Sequence, residues 1–160
     1  MRISEGAGLL LSDIVLDDAI PYVLVTPHKW RSLKTEASER PIPLVGLALW
    51  AAQRIAANAT KGQKVAFPRY CDMETTSGEA ASGALNAWMR KKGVPHTCHE
   101  LRHTMADRLR EVQPGSDIID LIQGWMPKAM RAKYGHGYSI RVCHEWLLKM
   151  LEWEAEHGKQ

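Results

Sequence analysis

The pentapeptide His99-Glu100-Leu101-Arg102-His103 carries the residues of this chain best suited to chemistry. On a helix, His99 and His103 would share one face at the spacing of two zinc ligands, with Glu100 as a general base. His99 and Arg102 also share a face, at a spacing of three, and could hold one phosphate between an imidazole and a bidentate guanidinium. The same stretch is therefore compatible with a metallohydrolase and with a nucleic-acid enzyme.

The zinc hypothesis requires a third protein ligand, and the sequence offers a poor one. The extended motif H-E-x-x-H-x-x-G-x-x-H is not present, Asp107 would point elsewhere on the helix, and Asp117 and Asp120 follow the break at Pro114-Gly115. Arg102 would also place a cation beside the metal. We therefore keep a zinc hydrolase as the less favoured alternative and predict no metal site.

The phosphate hypothesis gains support from residues at both ends of the chain. Arg2 precedes Glu5 by three residues, so a salt bridge could hold its guanidinium with the fork facing outward. Tyr134 follows Trp125 by nine residues and lies beside a glycine-rich break. A phenol has a pKa of about 10 and is a poor nucleophile unless cations stabilise its anion. Two arginines, a lysine and a histidine around one phosphate would do so.

Composition limits the class of protein. A chain of 160 residues with 45% hydrophobic content is large enough for one compact domain. The net charge of +3 is weak evidence for nucleic acid, although cations cluster at residues 29–34 and 90–92. Solvated basic faces would explain each of these clusters equally well.

Cysteine usage and hydropathy indicate the compartment. Three cysteines without a C-x-x-C pair suggest neither a disulfide framework nor a cysteine zinc site. No apolar run of about 18 residues and no signal-peptide pattern is visible. We therefore expect a soluble cytoplasmic protein without a membrane partner.

Periodicity predicts an α+β fold in which helices dominate. Strands are predicted at Leu9–Val15 and Ile20–Thr26, with Arg40–Leu44 as a third, edge strand of an antiparallel sheet. A polar hairpin tip, residues 29–39, joins the second strand to the third. Helices are predicted at residues 44–58, 75–92, 99–111, 117–123 and 140–154, with a further start at Pro127 and a break at 135–137.

The apolar positions of these helices predict the core. Ser116 is the expected N-cap of the fourth helix, and Gly93 and Gly124 are expected helix ends. The last helix could pack on its own domain or on a second copy of the chain. The expected core residues are Leu85, Trp88 and Met89, then Leu101, Met105 and Leu109, and finally Cys143, Trp146, Leu147 and Met150.

The motifs, taken in order, resemble the catalytic half of the tyrosine recombinases, the phage integrase family. The resemblance covers nearly the whole chain, and H-x-L-R-H-T is its most specific part. It rests on Arg2 in R-I-S-E, Lys34 in L-K-T-E-A-S-E-R-P-I-P-L, His99 and Arg102 in H-E-L-R-H-T, Trp125 in I-Q-G-W and Tyr134 in K-Y-G-H-G-Y.

The resemblance implies a mechanism on double-stranded DNA. Arg2 and Arg102 would bind the non-bridging oxygens of the scissile phosphate, while Glu5 orients Arg2. Tyr134 would attack the phosphorus and form a 3′-phosphotyrosyl link, which releases a 5′-hydroxyl. Lys34 would protonate the leaving oxygen. Because the covalent link conserves the bond energy, neither a metal nor another cofactor is expected.

Two further residues complete the implied set. His99 would assist proton transfer, and Trp125 would stand where the family commonly has histidine, with its indole N–H on a phosphate oxygen. His103 is assigned to bracing the helix.

Alternatives stay open at several of these positions. Arg2 could belong to a frayed terminus and Trp125 to the core. Lys29 and Arg31 compete with Lys34, and Tyr138 competes with Tyr134 as the nucleophile.

The resemblance also implies what lies outside these residues. Residues 1–160 would form a partial catalytic domain, without the first catalytic helices and without the DNA-gripping domain of the family. Since phosphate contacts provide most non-specific affinity, we expect weak DNA binding by this chain alone. A non-catalytic, DNA-binding or self-associating remnant is the alternative, with the C-terminal helix as the contact between copies.

Overall fold

The computed structural model describes residues 1–33, 39–125 and 138–158. Lys34, Tyr134, the predicted helix start at Pro127 and the break at 135–137 lie outside the described residues. The helices of the described part are α1 (Ile3–Ala7), α2 (Gly46–Ala57), α3 (Gly78–Lys91), α4 (Cys98–Glu111), α5 (Ser116–Gln123) and α6 (Ile140–His157). The strands are β1 (Ile14–Val15), β2 (Tyr22–Val25) and β3 (Arg40–Pro43).

The three strands form one antiparallel sheet in the order β1-β2-β3, as predicted. Val23 of β2 lies opposite Ile14 on one side and Ile42 on the other. The prolines of β3 are compatible with an edge position because an edge strand needs fewer N–H donors. β1 is shorter than predicted: residues 11–13 form a 3₁₀ turn, in which the carboxylate of Asp13 accepts the Leu10 N–H at 3.0 Å. This side-chain hydrogen bond competes with strand pairing.

The larger hydrophobic core lies between α4, α5 and α6. Leu109 of α4 is fully buried, and Ile122 of α5 is 5% exposed. The predicted stripe of α6 is confirmed at Cys143, Leu147 and Met150, which pack into this core within the same chain. A second core lies under the sheet and α2, formed by Leu9, Ile14, Val23, Val25, Leu44, Ala52 and Ala66.

Part of the predicted core of α3 and α4 is wrong. Leu85 and Trp88 are 42% and 57% exposed, and Leu101 is 49% exposed, whereas Met89 and Leu109 are buried as predicted. α3 packs on α1 through its N-terminal end, where a Cβ on Gly78 would lie 3.0 Å from the Ser4 Cα. The N-terminal end of α3 therefore faces a neighbour through Gly78, and Leu85 and Trp88 lie on the exposed side of the helix.

The helix ends agree with the sequence, with one correction. Gly124 ends α5 in the left-handed conformation at φ 68°, and Gly93 follows α3 at φ 75°. Ser116 is the first residue of α5 and not its N-cap, because Gly115 holds that position at φ 87°. None of the described helices combines the length and apolar composition needed to cross a membrane.

Candidate active site

Arg2 and Glu5 meet at the start of α1. The Arg2 Nη1 donates to Glu5 Oε1 at 2.8 Å, and the Arg2 backbone N–H donates to Glu5 Oε2 at 2.7 Å. The salt bridge expected from the spacing of three is therefore present. It fixes Arg2, whose side chain is 27% exposed, so the frayed-terminus alternative does not hold.

The carboxylate of Glu5 is buried and ionised. Burial would raise the pKa of Glu5, but the Arg2 backbone N–H, the charge of Arg40 and the Arg2 guanidinium together hold it below its usual value. Glu5 is 3% exposed and lies 3.4 Å from Arg40 Nη2. One buried negative charge thus serves two guanidiniums.

Arg102 projects from α4 into the same region. Only 8% of the residue is exposed. Its Nη2 donates to the backbone carbonyl of Gln123, and its guanidinium lies over the Trp125 ring, 5.3 Å from the centroid. Gln123 returns the contact, since its Nε2 donates to the Arg102 carbonyl at 3.1 Å. The Nη1 of Arg102 is buried and has no hydrogen-bond acceptor among residues 1–33, 39–125 and 138–158.

The electrostatics around Arg102 favour an anion. Its pKa is lowered to about 10, chiefly by burial and then by the positive charge of Arg2, with a smaller effect of Arg40. Glu5 raises the pKa but only partly compensates. Arg102 therefore lies in the field of two other guanidiniums and one carboxylate, and its Nη1 is a buried donor that is unsatisfied within the described residues.

His99 and His103 contact each other at the exposed face of α4. Their Nε2 atoms are 3.3 Å apart, so one ring must donate and the other accept, and the rings meet edge to face at 5.0 Å. His103 also lies 6.1 Å from the Trp125 ring, measured between centroids. The pair is consistent with His103 as a brace for His99.

The zinc hypothesis gains no support from the geometry. In the described part of the chain, no group of three or more histidine, cysteine, aspartate or glutamate residues could hold a metal ion. Glu100 accepts the hydroxyl of Thr97 at 3.0 Å and lies 2.9 Å from His96 Nδ1. Its carboxylate is thus engaged at the N-terminal cap of α4 and is not positioned as a base between the two histidines.

Trp125 packs against the larger core on one side and against Arg102 on the other. It is half-buried against the larger core, and its backbone N–H donates to the Asp120 carbonyl at 2.8 Å beyond the end of α5. Its ring face supports the Arg102 guanidinium, which is a cation–π contact. This aromatic face is the contact that the structure adds to the role inferred from the sequence.

Each alternative to Lys34 or Tyr134 that was considered from the sequence contacts another residue. Arg31 is 3% exposed; it donates to the Glu5 carbonyl at 2.7 Å and lies 3.4 Å from Asp13. Lys29 is solvent-exposed and pairs with Glu74 at 2.8 Å. Tyr138 donates to Asp117 Oδ2 at 2.5 Å.

Arg40 and Gln123 are site residues that the sequence did not reveal. The Nε of Arg40 donates to the Ile122 carbonyl at 3.1 Å, and its Nη2 donates to the Gln123 carbonyl at 3.2 Å. From the sequence, an arginine at the start of a predicted edge strand would be expected at the surface. Its acceptors lie more than 80 positions away in sequence, so no local pattern could have pointed to them.

Comparisons with known proteins bear on the family of the chain. Residues 1–139 match the phage integrase family. The transposases from transposon Tn916 of Enterococcus faecalis and from transposon Tn1545 of Streptococcus pneumoniae are each 27% identical, over 84% of this chain and 38% of their own length. The chain thus spans about two fifths of these relatives, and no solved structure matches it. Because the family match covers most of the sequence and the fold is helical with a small antiparallel sheet, the chain belongs to the phage integrase family.

Proposed function

We propose that this chain is the catalytic part of a site-specific DNA recombinase that integrates a mobile element. The family match and the transposases among its relatives support this reaction class. The observation that carries the proposal is the buried Arg102 Nη1, which lacks an acceptor in the described residues and lies in the field of Arg2 and Arg40. A cytoplasmic location, where such a DNA substrate would be met, belongs to the same proposal.

The arginine pair, Arg2 and Arg102, suits the scissile phosphate. A phosphodiester carries one negative charge on two non-bridging oxygens, and more charge develops there when a fifth oxygen attacks the phosphorus. Guanidiniums that are already in place stabilise this charge without reorganisation. Arg2 is anchored by Glu5, and Arg102 by Gln123 and Trp125, so both are restrained before DNA arrives.

The remaining steps are assigned to Tyr134, His99 and Lys34. Tyr134 forms the new oxygen–phosphorus bond, and its phenolic proton passes to His99 as general base. The bond from phosphorus to the 5′-oxygen breaks, and Lys34 protonates that oxygen. Rejoining reverses the same steps, so the number of phosphodiester bonds is conserved and no cofactor takes part.

A nicked suicide DNA substrate tests the proposal. Cleavage near the nick releases a short strand and traps the covalent protein–DNA adduct, which is measured by denaturing gel electrophoresis. We expect an adduct with the wild-type chain and with Tyr138→Phe, but none with Tyr134→Phe. Binding of DNA without any adduct would overturn the catalytic proposal and favour the non-catalytic remnant.

Self-association through the C-terminal helix is also part of the proposal. The stripe of Cys143, Leu147 and Met150 is buried within its own chain, so a second copy must use another side of α6. Leu148 on that helix is 40% exposed. We expect sedimentation analysis to detect a dimer that Leu148→Glu dissociates. A monomer at every concentration would contradict this contact.

A further inference from the structure

Arg40 lies deepest among the charged side chains of the described residues. It is 1% exposed, although it belongs to the edge strand β3. Burial of a guanidinium is expensive unless its donors are satisfied by well-placed acceptors. The acceptors that Arg40 contacts therefore indicate the role of this buried side chain.

Those contacts connect the two supports of the arginine pair. On one side, Arg40 Nη2 lies 3.4 Å from the Glu5 carboxylate, which also binds Arg2. On the other side, the same nitrogen donates at 3.2 Å to the Gln123 carbonyl, which also accepts from Arg102. Arg40 thus contacts the acceptor of each member of the pair.

Its surroundings keep this guanidinium in one place. The Nε donates to the Ile122 carbonyl at 3.1 Å, which fixes the plane of the group. Gly124 leaves the space that the group occupies, because a Cβ there would lie 2.5 Å from Arg40 Cζ. With 1% exposure, Arg40 has no surface from which to touch DNA.

The charge of Arg40 acts on Arg102 as well. After burial and the charge of Arg2, it helps to lower the Arg102 pKa. It therefore adds to the positive field without being a ligand itself.

We propose that Arg40 is a positioning residue, which sets the separation and orientation of Arg2 and Arg102 through Glu5 and the Gln123 carbonyl. This inference rests on the proposed recombinase function. A lysine at position 40 keeps the charge but has no planar fork to bridge these acceptors. Arg40→Lys is therefore the informative substitution.

The first experiment compares two suicide substrates, one with an ordinary scissile phosphate and one with a neutral methylphosphonate. The methyl group replaces one non-bridging oxygen, so the second substrate demands less from the arginine pair. We expect Arg40→Lys to slow adduct formation at least about 10-fold on the phosphodiester and less than about 3-fold on the methylphosphonate. DNA affinity should stay within about 2-fold of wild type.

Arg31→Lys is the matched control. Arg31 is also buried, at 3% exposure, and donates to the Glu5 backbone carbonyl, but its described contacts do not include the Gln123 carbonyl. We expect Arg31→Lys to change the rate of adduct formation by the same factor on both substrates. If Arg40→Lys slows adduct formation equally on both substrates, or does not slow it at all, the inference is overturned. The proposed function is judged separately, because it stands as long as the wild-type chain cleaves the phosphodiester substrate.

A second experiment is independent of cleavage. Inorganic sulfate should raise the midpoint of thermal unfolding of the wild type and of Arg31→Lys by several degrees more than that of Arg40→Lys. Equal shifts in all three proteins refute the role of Arg40, whether or not DNA is cleaved. Should Arg40→Lys fail to fold, Gly124→Ala displaces the same guanidinium, and the same two comparisons decide the outcome.

Discussion

Replacing Arg102 by methionine should abolish cleavage while leaving the fold nearly as stable as before. The lowered pKa of Arg102, about 10, corresponds to a penalty of about 3 kcal/mol on its charged form in the folded protein. Methionine removes that penalty and keeps an unbranched side chain. It also loses the hydrogen bond to the Gln123 carbonyl, worth about 1.5–3 kcal/mol, and the contact with Trp125, worth about 1 kcal/mol.

These opposing effects nearly cancel. We expect the free energy of unfolding to change by less than about 1.5 kcal/mol, measured by urea titration with circular dichroism. Arg40→Met is the control, because it removes one buried donor from each of three acceptors, the Glu5 carboxylate and the Ile122 and Gln123 carbonyls. It should lower stability by about 3–5 kcal/mol. Cleavage by Arg102→Met should fall at least about 100-fold in the suicide assay.

Sulfate provides the second part of this test. An anion that binds only the folded state at about 100 times its dissociation constant stabilises by about 2.7 kcal/mol, or roughly 5–10 °C for a chain of this size. Sulfate also stabilises proteins through exclusion from their surface, so the shift in Arg102→Met is the baseline. The anion site would be refuted if Arg102→Met lost about 3 kcal/mol or more in the free energy of unfolding. It would also be refuted if sulfate raised the unfolding midpoints of the wild type and of Arg102→Met equally.

Three further predictions use other parts of the structure. Gly124→Ala should lower the free energy of unfolding by well over the roughly 1–2 kcal/mol that alanine costs in the left-handed conformation, because its Cβ would also meet Arg40. Gly62→Ala, at φ 83° with open space around it, should cost only that amount, and chemical denaturation measures both. Because the pKa of Glu5 is lower in the folded than in the unfolded protein, its ionised carboxylate stabilises the fold above about pH 4.5, and this stabilisation is lost as the pH falls through the pKa of the folded state. The thermal unfolding midpoint of Glu5→Gln should therefore depend less on pH in acid than that of the wild type. Burial raises the pKa of the Cys143 thiol to about 11, so iodoacetamide followed by mass spectrometry should find the native protein modified at Cys98 first; earlier modification of Cys143 would contradict its burial.

The periodicity of the sequence predicted most elements because local spacing determines which residues share a helix face. It was correct for α6, where Cys143, Leu147 and Met150 are buried, and wrong for Leu85 and Trp88 of α3. Periodicity identifies an apolar face but does not say which face meets a neighbour. The close approach of α1 to Gly78 decided that for α3.

The site was predictable to the extent that its contacts are local. Arg2 and Glu5 are three residues apart, and their salt bridge was expected from that spacing. Arg40 meets its acceptors only when β3 and α5 are packed together, so it could not be identified. The roles of Lys34 and Tyr134 remain predictions, since both residues lie outside the described part.

The carbonyl oxygens at the C-terminal end of α5 act as a partial counter-ion for two guanidiniums. The last turn of a helix carries the negative end of its macrodipole, roughly half an elementary charge, and every residue type supplies this oxygen. Changing the side chain of Ile122 therefore leaves the electrostatic support in place. Inserting one residue into α5 would instead rotate the carbonyls by about 100° and remove both acceptors at once. This electrostatic support therefore depends on the length of α5 and not on the identity of its side chains.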